Sequence, residues 1–440
     1  VENLDTLLSI RLNLHEYDKI PWQFKDFSIK SGRVTFRVAG AFEVDLGIID
    51  EDPDSQFWFI DLRFLFSPSI SELPLGARFF TETRVNAVLK DGLLGCYKYL
   101  HEMVLTHKIT EFRKQAIDLA GGKWIDGLKV ESLNRSLSIQ YWVDRYGKDG
   151  PKSWIILGVH SGRRKDGRPD PKATSRLSIR WFRNAEEVKD VDIPFDTVNI
   201  STLSLLKTVV AMHVNSILTS IYEKMQKNPI FAKHQAHLSL STSDDEPAES
   251  TLKVQLTNTE HLIVSIEPVT GRFIFSPASP IIARIEFMLN SKSRDPALDA
   301  HSYIENLRAM VILEDFTSHG LSAGWIKDTG PKIANEELKV KLVKSYLQIA
   351  WFRRASWLPN WFAVLTMGND GERWFLLEAY VLSHLAHLEV LIITVSTTHL
   401  VRRSRIHLRC GSPVSPPFRL MPSSQDSTST QPHSYPISSI

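Results

Sequence analysis

The residues best equipped for chemistry in this 440-residue chain lie in one short run, Gly162-Arg163-Arg164-Lys165-Asp166-Gly167-Arg168-Pro169. Its glycine spacing approaches G-x-x-x-x-G-K-[ST], in which backbone N–H groups and a lysine cradle phosphates while a hydroxyl holds Mg²⁺. Two departures remove that chemistry: Arg168 stands where the lysine belongs, and Pro169 has no hydroxyl. The residues that follow alternate as a strand, whereas a phosphate cradle needs a helix N-terminus. What remains is charge. Residues 162–172 hold five cations and two acids, so Arg163, Arg164, Lys165 and Arg168 are candidate contacts for phosphate or for an acidic partner surface. A few phosphate contacts give weak, strongly salt-dependent binding, and a solvated loop is the competing expectation.

Other chemistry-bearing residues fall short of a site. Asp50-x-Asp52-x-Asp54 starts like a calcium loop, but Ser55 occupies the position that needs glycine and the flanks read as strands, so a polar turn is expected. His101 and His107 are six residues apart, on different sides of a helix, and do not form a metal pair. No Ser/His/Asp or Cys/His signature is present. Trp58, Trp142, Trp154, Trp181, Trp351 and Trp361 recur at strand spacing, where packing is the expected role. The expectation is a chain that is not an enzyme and takes no cofactor, metal or small-molecule substrate.

Composition agrees with a folded interaction protein. The net charge is +2 and 43% of residues are hydrophobic, enough for sizeable cores with no strong pull toward polyanions. Cys96 and Cys410 are far apart, which suggests a reducing compartment without a disulfide framework. The chain opens at Val1 with no leader and is expected to start within a longer protein. No apolar run, Val390–Val395 included, approaches a membrane span.

The elements that would carry these residues are α+β. Residues 1–20 show helical spacing that stops at Pro21, and with no partner helix in view this face is expected to pack upstream or on another chain. A β-meander follows, with Val34-Phe36-Val38, Phe42-Val44-Leu46-Ile48 and an aromatic strand from Gln56 to Phe66. Helices are expected at 77–90 and 97–120, the second ended by Gly121-Gly122 as a left-handed cap. A hairpin at 135–162, a strand at 177–182 and a helix at 203–227 come next, the helix striped by Leu203, Leu206, Val210, Val214, Ile217, Ile221 and Met225.

That arrangement is then written again. RSLSIQYWVDRYGKDGPKSWIILGVHSG (135–162) is matched by KSYLQIAWFRRASWLPNWFAVLTMGNDG (344–371), aligning Leu137-Ser138-Ile139-Gln140-Tyr141-Trp142 with Leu347-Gln348-Ile349-Ala350-Trp351-Phe352. Upstream, Phe64-Leu65-Phe66-Ser67-Pro68 matches Phe273-Ile274-Phe275-Ser276-Pro277, and Asn86, Tyr99 and Phe112 match Asn290, Tyr303 and Phe316. A period of about two hundred residues is a duplicated domain rather than a solenoid repeat. The expected organisation is the end of a helical region (1–29), two tandem α/β modules (30–234 and 235–379), and a disordered Ser/Pro/Thr-rich tail (380–440). The second module reads as incomplete, lacking the strand and helix that close the first. Sequence after Ala379 reads as foreign to the repeat.

Long, ungapped phrases carry a resemblance: LLSIRLNLHEYDKIP (7–21), GRVTFRVAGAFEVDLGIIDEDP (32–53), FWFIDLRFLFSP (57–68), LNRSLSIQYW (133–142) and GPKSWIILGVHSGRRKDGRPDPKATSRL (150–177). Together they resemble the family of the large scaffold subunit of the Mediator complex, over residues 1–379. The resemblance implies a helical N-terminal region, repeated α/β modules, and a structural role without catalytic residues. It further implies a nuclear location, partners among Mediator subunits of the head, middle and tail, and indirect contact with RNA polymerase II. The alternative is a phosphate- or nucleic-acid-contacting module built on residues 162–172.

Overall fold

Alternation and helical spacing resolve, in a computed structural model, into seven α-helices and four antiparallel sheets among the described residues. The structure describes residues 2–395 apart from 51, 53, 71–72, 146–149, 162–173, 190, 331–341, 343–345 and 383–384. Helix α1 (Glu2–Ile10) runs into a π-helical turn (Arg11–His15) and precedes strands β1 (Phe27–Lys30), β2 (Arg33–Val38), β3 (Phe42–Gly47) and β4 (Trp58–Phe64). Next come α2 (Leu75–Val88) and α3 (Leu93–Ala120). Strands β5 (Leu128–Leu133), β6 (Ser136–Tyr141), β7 (Ser153–His160), β8 (Arg176–Arg183) and β9 (Glu186–Val188) form the second sheet.

The same order then recurs. Helix α4 (Thr202–Gln226) and the short α5 (Pro229–Ala232) lead to β10 (Leu238–Ser241), β11 (Thr251–Gln255), β12 (His261–Ile266) and β13 (Phe273–Ser276). Helices α6 (Pro280–Lys292) and α7 (Pro296–Ser322) follow. Strands β14 (Trp325–Asp328), β15 (Gln348–Arg354), β16 (Trp361–Gly368), β17 (Gly371–Leu382) and β18 (Leu385–Val395) complete the last sheet. All four sheets are simple meanders in sequence order. Each copy is thus a four-stranded sheet, two helices and a five-stranded sheet.

Several matched residues occupy matched places. The Ser67–Pro68 and Ser276–Pro277 peptide bonds are both cis. Asn86, near the end of α2, accepts a hydrogen bond at Oδ1 from Phe59 N–H at the head of β4 (2.9 Å). Asn290, near the end of α6, accepts one from Phe273 N–H at the head of β13 (3.0 Å). Further side chains dress these two edge strands: Arg78 donates to the Ile60 carbonyl, and Phe275 N–H donates to Glu286. Helix side chains therefore occupy backbone groups that an edge would otherwise offer to another strand.

Strand register corrects the hairpin alignment by one residue. Ile139 pairs with Ile155, which pairs with Trp181. In the second copy Ala350 pairs with Leu365, which pairs with Trp374. Phe352, not Trp351, is therefore the counterpart of Tyr141, and Arg180-Trp181-Phe182 answers to Arg373-Trp374-Phe375. A one-residue slip moves every side chain to the opposite face of a sheet. Trp351 accordingly joins Phe362, Val364, Phe375 and Leu377 on one face, while Phe352 packs with Leu365, Met367 and Ile312 of α7 on the other.

Other expectations change as well. The N-terminal stripe expected to pack elsewhere leaves Leu4, Leu14 and Tyr17 exposed, while Leu8 and Leu12, off that stripe, are fully buried in the core that also holds Val34 and Phe36. Gly121, with φ −84°, is not left-handed. The second copy does have a closing strand, β17, and its sheet continues through Val395, past the point assigned to the tail. A two-residue turn joins β16 to β17 where a long loop joins β7 to β8, and this shortening hid the match.

Helix α4 closes more than the first copy. His213 faces Tyr141 and Trp181 of the second sheet, while other α4 residues reach the β10–β13 sheet. Its composition and length would suffice to cross a membrane, yet Leu205, Leu206, Val209, Val210, Val214, Leu218 and Ile221 lie in one continuous core running from Leu8 to Leu307.

Candidate functional site

Arg163, Arg164, Lys165 and Arg168 lie outside the described residues. The ends of their loop, Ser161 and Ser175, line an open cleft of about 240 Å³ together with Glu102, Asn134, Arg135, Ser136, Gly158 and Val159. Arg135 and Glu102 form an ion pair there, and His101 Nε2 is 2.7 Å from the Ser175 carbonyl. The charged pair in this cleft satisfies itself.

The remaining candidates resolve into structure. Asp54 N–H donates to Asp52 Oδ1 (3.0 Å) and Ser55 N–H to the Asp52 carbonyl (3.1 Å), which is an Asx-type turn. His107 stacks on Phe64, 4.6 Å between ring centres, well away from the bond made by His101. Trp142, Trp181 and Trp351 are buried, whereas Trp58 is exposed at the head of β4. Among the described residues no group of three or more His, Cys, Asp or Glu is placed to hold a metal. Burial pushes the Cys96 thiol up to about 12, which leaves it protonated and unreactive at neutral pH.

What the chain does build is a rigid junction between its two copies. Trp142 Nε1–H donates to the Pro268 carbonyl in the turn between β12 and β13 (2.8 Å). Gly271 in that turn (φ +73°) lies against the Trp142 ring, where a Cβ would come within 2.5 Å. The Arg145 guanidinium stands 4.6 Å from the Trp142 ring centre and 5.8 Å from that of Phe273. Behind Trp142, Trp181 Nε1–H donates to Tyr141 Oη (2.8 Å), and Tyr141 Oη shares a hydrogen bond with His213 Nδ1 (2.9 Å). Burial, with Arg145 and Arg183 nearby, pushes His213 well below the ordinary imidazole range, so this chain of bonds runs through a neutral imidazole. Asn215 of α4 donates to the Ser243 carbonyl (3.0 Å) and accepts from Ser250 (2.7 Å). Arg308 of α7 stands 5.8 Å from the ring centre of Phe231 in α5.

None of this junction was singled out as functional from sequence. Trp142 and Tyr141 read as strand packing, and His213 fell between the apolar positions of α4. The signal in the sequence is a histidine set among the apolar residues Val209, Val210, Ala211, Met212 and Val214.

The outer face of the first sheet is a lattice of paired charges. Asp45 is fully covered by Arg33 (3.1 Å), Arg63 (3.0 Å) and Thr35 Oγ1 (2.7 Å). Arg37 and Arg63 also reach Glu43, and Arg63 and Arg78 reach Asp61.

Comparison with known proteins adds the identity of relatives. Residues 1–50 match the family model for Mediator complex subunit MED14, and residues 221–316 match the fungal Med14 domain. A protein of Neurospora crassa named Mediator of RNA polymerase II transcription subunit 14 is 45% identical over 392 residues, covering 86% of this chain and 31% of its own length. Proteins of the same name from Pyricularia oryzae and Coccidioides immitis are 43% and 35% identical over 86% of the chain, which covers 34% of each. The chain spans about a third of the length of the curated relatives it matches.

Proposed function

The chain belongs to the Mediator subunit 14 family, and from that premise we propose that it is a non-enzymatic architectural segment of a nuclear transcription coactivator. Its partners on this reading are the other Mediator subunits, whose head, middle and tail modules it helps to bridge, with RNA polymerase II reached indirectly. The two duplicated units of this segment are residues 30–234 and the copy that begins at residue 235, whose last sheet runs past 379 to Val395. The observation that carries the reading is the junction. Trp142, Gly271, Arg145 and the Tyr141–His213 bond fix the two copies in one continuous core, and a fixed spacing is what a bridge between modules requires.

The test is purification of the intact natural protein through an affinity tag, with and without residues 30–379. Near-stoichiometric recovery of the other subunits with the intact protein, and loss of whole modules from the deletion, is the expected result. A complex that keeps all its subunits without this segment overturns the bridging role.

A second reading concerns Arg163, Arg164, Lys165 and Arg168 as contacts to phosphate or to an acidic partner. The density of cations in residues 162–172 favours it. Binding to generic duplex DNA at physiological salt, lost when Arg163, Arg164 and Lys165 become alanine, supports this reading. Unchanged binding removes it.

A further inference from the structure

Helix α2 is inside out. It buries only Thr81 and Val85, while Leu75, Phe79 and Phe80 are 87%, 72% and 57% exposed. At about 100° per residue, Leu75, Phe79, Thr83, Gly76, Ala87 and Phe80 share one outward arc. No charged side chain falls within it. Even Thr83 spends its hydroxyl within the helix, donating to the Phe79 carbonyl (2.9 Å), and Asn86, which falls between Leu75 and Phe79 in the arc, is committed to Phe59 of β4. A surface helix ordinarily puts its polar face here.

The duplication supplies an internal control. Helix α6 holds the same place in the second copy and buries Ile282, Ile285 and Leu289, exposing Arg284, Ser291 and Lys292 around a single Phe287. The fold therefore requires a helix at this position but not an apolar outer face. That face is a property of the first copy alone.

We propose that the outward face of α2 is a docking site for one amphipathic helix of another subunit. Along the i, i+4, i+8, i+12 row, Leu75 and Phe79 stand high while Thr83 and Ala87 are small, and these two with Gly76 leave a groove beside the two phenylalanines. Ridge-in-groove packing selects a helix as the occupant. Charge sets what that helix carries. Glu82 borders the arc on one side and Arg84 on the other, both exposed and neither in an ion pair among the described residues, with the Arg84 guanidinium 5.4 Å from the Phe80 ring centre. The partner is complementary when it sets a lysine or arginine against Glu82 and an acid against Arg84, beside apolar residues spaced three and four apart. An antiparallel pairing of two copies of this chain through α2 would instead oppose Glu82 to Glu82 and Arg84 to Arg84.

The proposal rests on the Mediator-subunit reading, because it draws the partner from the same complex. The test replaces Phe79 with the photo-crosslinker benzoylphenylalanine in the full natural protein, purified within its complex. Crosslinks concentrated on one helical segment of one other subunit are expected. Phe79→Asp with Phe80→Asp should lower recovery of that subunit at least about tenfold, with Phe287→Asp as the control that does not. Because both residues are exposed, the double variant should keep its circular dichroism and melting temperature. Crosslinks to a second copy or to this chain itself, or unchanged subunit ratios in the double variant of an intact complex, overturn this proposal alone. Absence of all other subunits from the unmodified protein overturns the family-based function and this proposal with it.

Discussion

Asp45 lies under Arg33, Arg63 and Thr35 on the outer face of the first sheet, and its titration is set by them. Burial raises its pKa, but hydrogen bonds from Arg63 and Thr35 and the two guanidinium charges outweigh burial and hold it below the ordinary 3.8. A carboxyl depressed on folding contributes stability in full above its ordinary value and loses it as pH falls toward the folded value. Asp45→Asn should therefore cost up to about 3 kcal/mol at neutral pH, with the difference shrinking below pH 4. Urea midpoints of both proteins at pH 7 and pH 3 measure this, and an equal gap at both would contradict it. Lys108 is shifted in the same direction, but by burial rather than by partners. Its Nζ donates to the carbonyls of Gly40 and Thr197, both at 2.7 Å, and burial pushes it from 10.5 down to about 8 against the pull of Asp196. Between those values the unfolded chain binds more protons, so stability rises with pH. Wild type should gain stability relative to Lys108→Met between pH 8 and 10.5, and a constant difference across that range would refute the assignment.

At the scale of elements, α4 shows what a sequence reveals of a core and what it conceals. Its ends and its stripe of Leu206, Val210, Val214, Ile217, Ile221 and Met225 are legible because helical spacing marks one buried face. Leu205, Val209 and Leu218 are buried as well, because this helix touches sheets of both copies and a second face disappears from water. Periodicity finds an amphipathic helix more readily than one covered on two sides. Leu205→Ala and Leu206→Ala should thus each cost about 2–5 kcal/mol, although only Leu206 belongs to the legible stripe. A cost under 1 kcal/mol for Leu205→Ala in chemical denaturation would mean the second face is not packed. The duplication was legible through phrases such as Phe-Ser-Pro and through Asn86 and Asn290, whose side chains repeat one task at the head of an edge strand. The register of the later hairpin was not, since Leu-x-Ile-x-Trp aligns plausibly one residue out of step. Asn86→Ala and Asn290→Ala should each cost about 1–3 kcal/mol by leaving a buried backbone donor unpaired. Strongly unequal costs would show that the two asparagines are not equivalents.

For the whole molecule, the sequence reads as two modules that meet at residue 234, the second incomplete. The structure adds what happens between the copies. At their meeting point lies α5, with Ile230 and Phe231 buried, Asn228 bonded to Glu305, and the Arg308 guanidinium 5.8 Å from the Phe231 ring. Across the sheets, Trp142 and Arg145 reach Pro268 and Phe273, and Gly127 approaches Val269 so closely that a Cβ would lie 2.7 Å from its carbonyl. A protease needs a locally unfolded segment, and although residues 232–235 are exposed, the buried Ile230 and Phe231 anchor this stretch against unfolding. Limited proteolysis should therefore spare residues 228–235, and amides of β6 and β12 should lose hydrogen-exchange protection together. Gly271→Val should break that coupling, because a side chain there meets the Trp142 ring and a backbone at φ +73° disfavours any β-branched residue. In that variant β12 should exchange earlier than β6, with cleavage appearing at 228–235. Early cleavage at 228–235 in the unmodified chain, or separate exchange of the two strands, would restore the picture of two independent modules and remove the rigid spacing on which a bridging role depends.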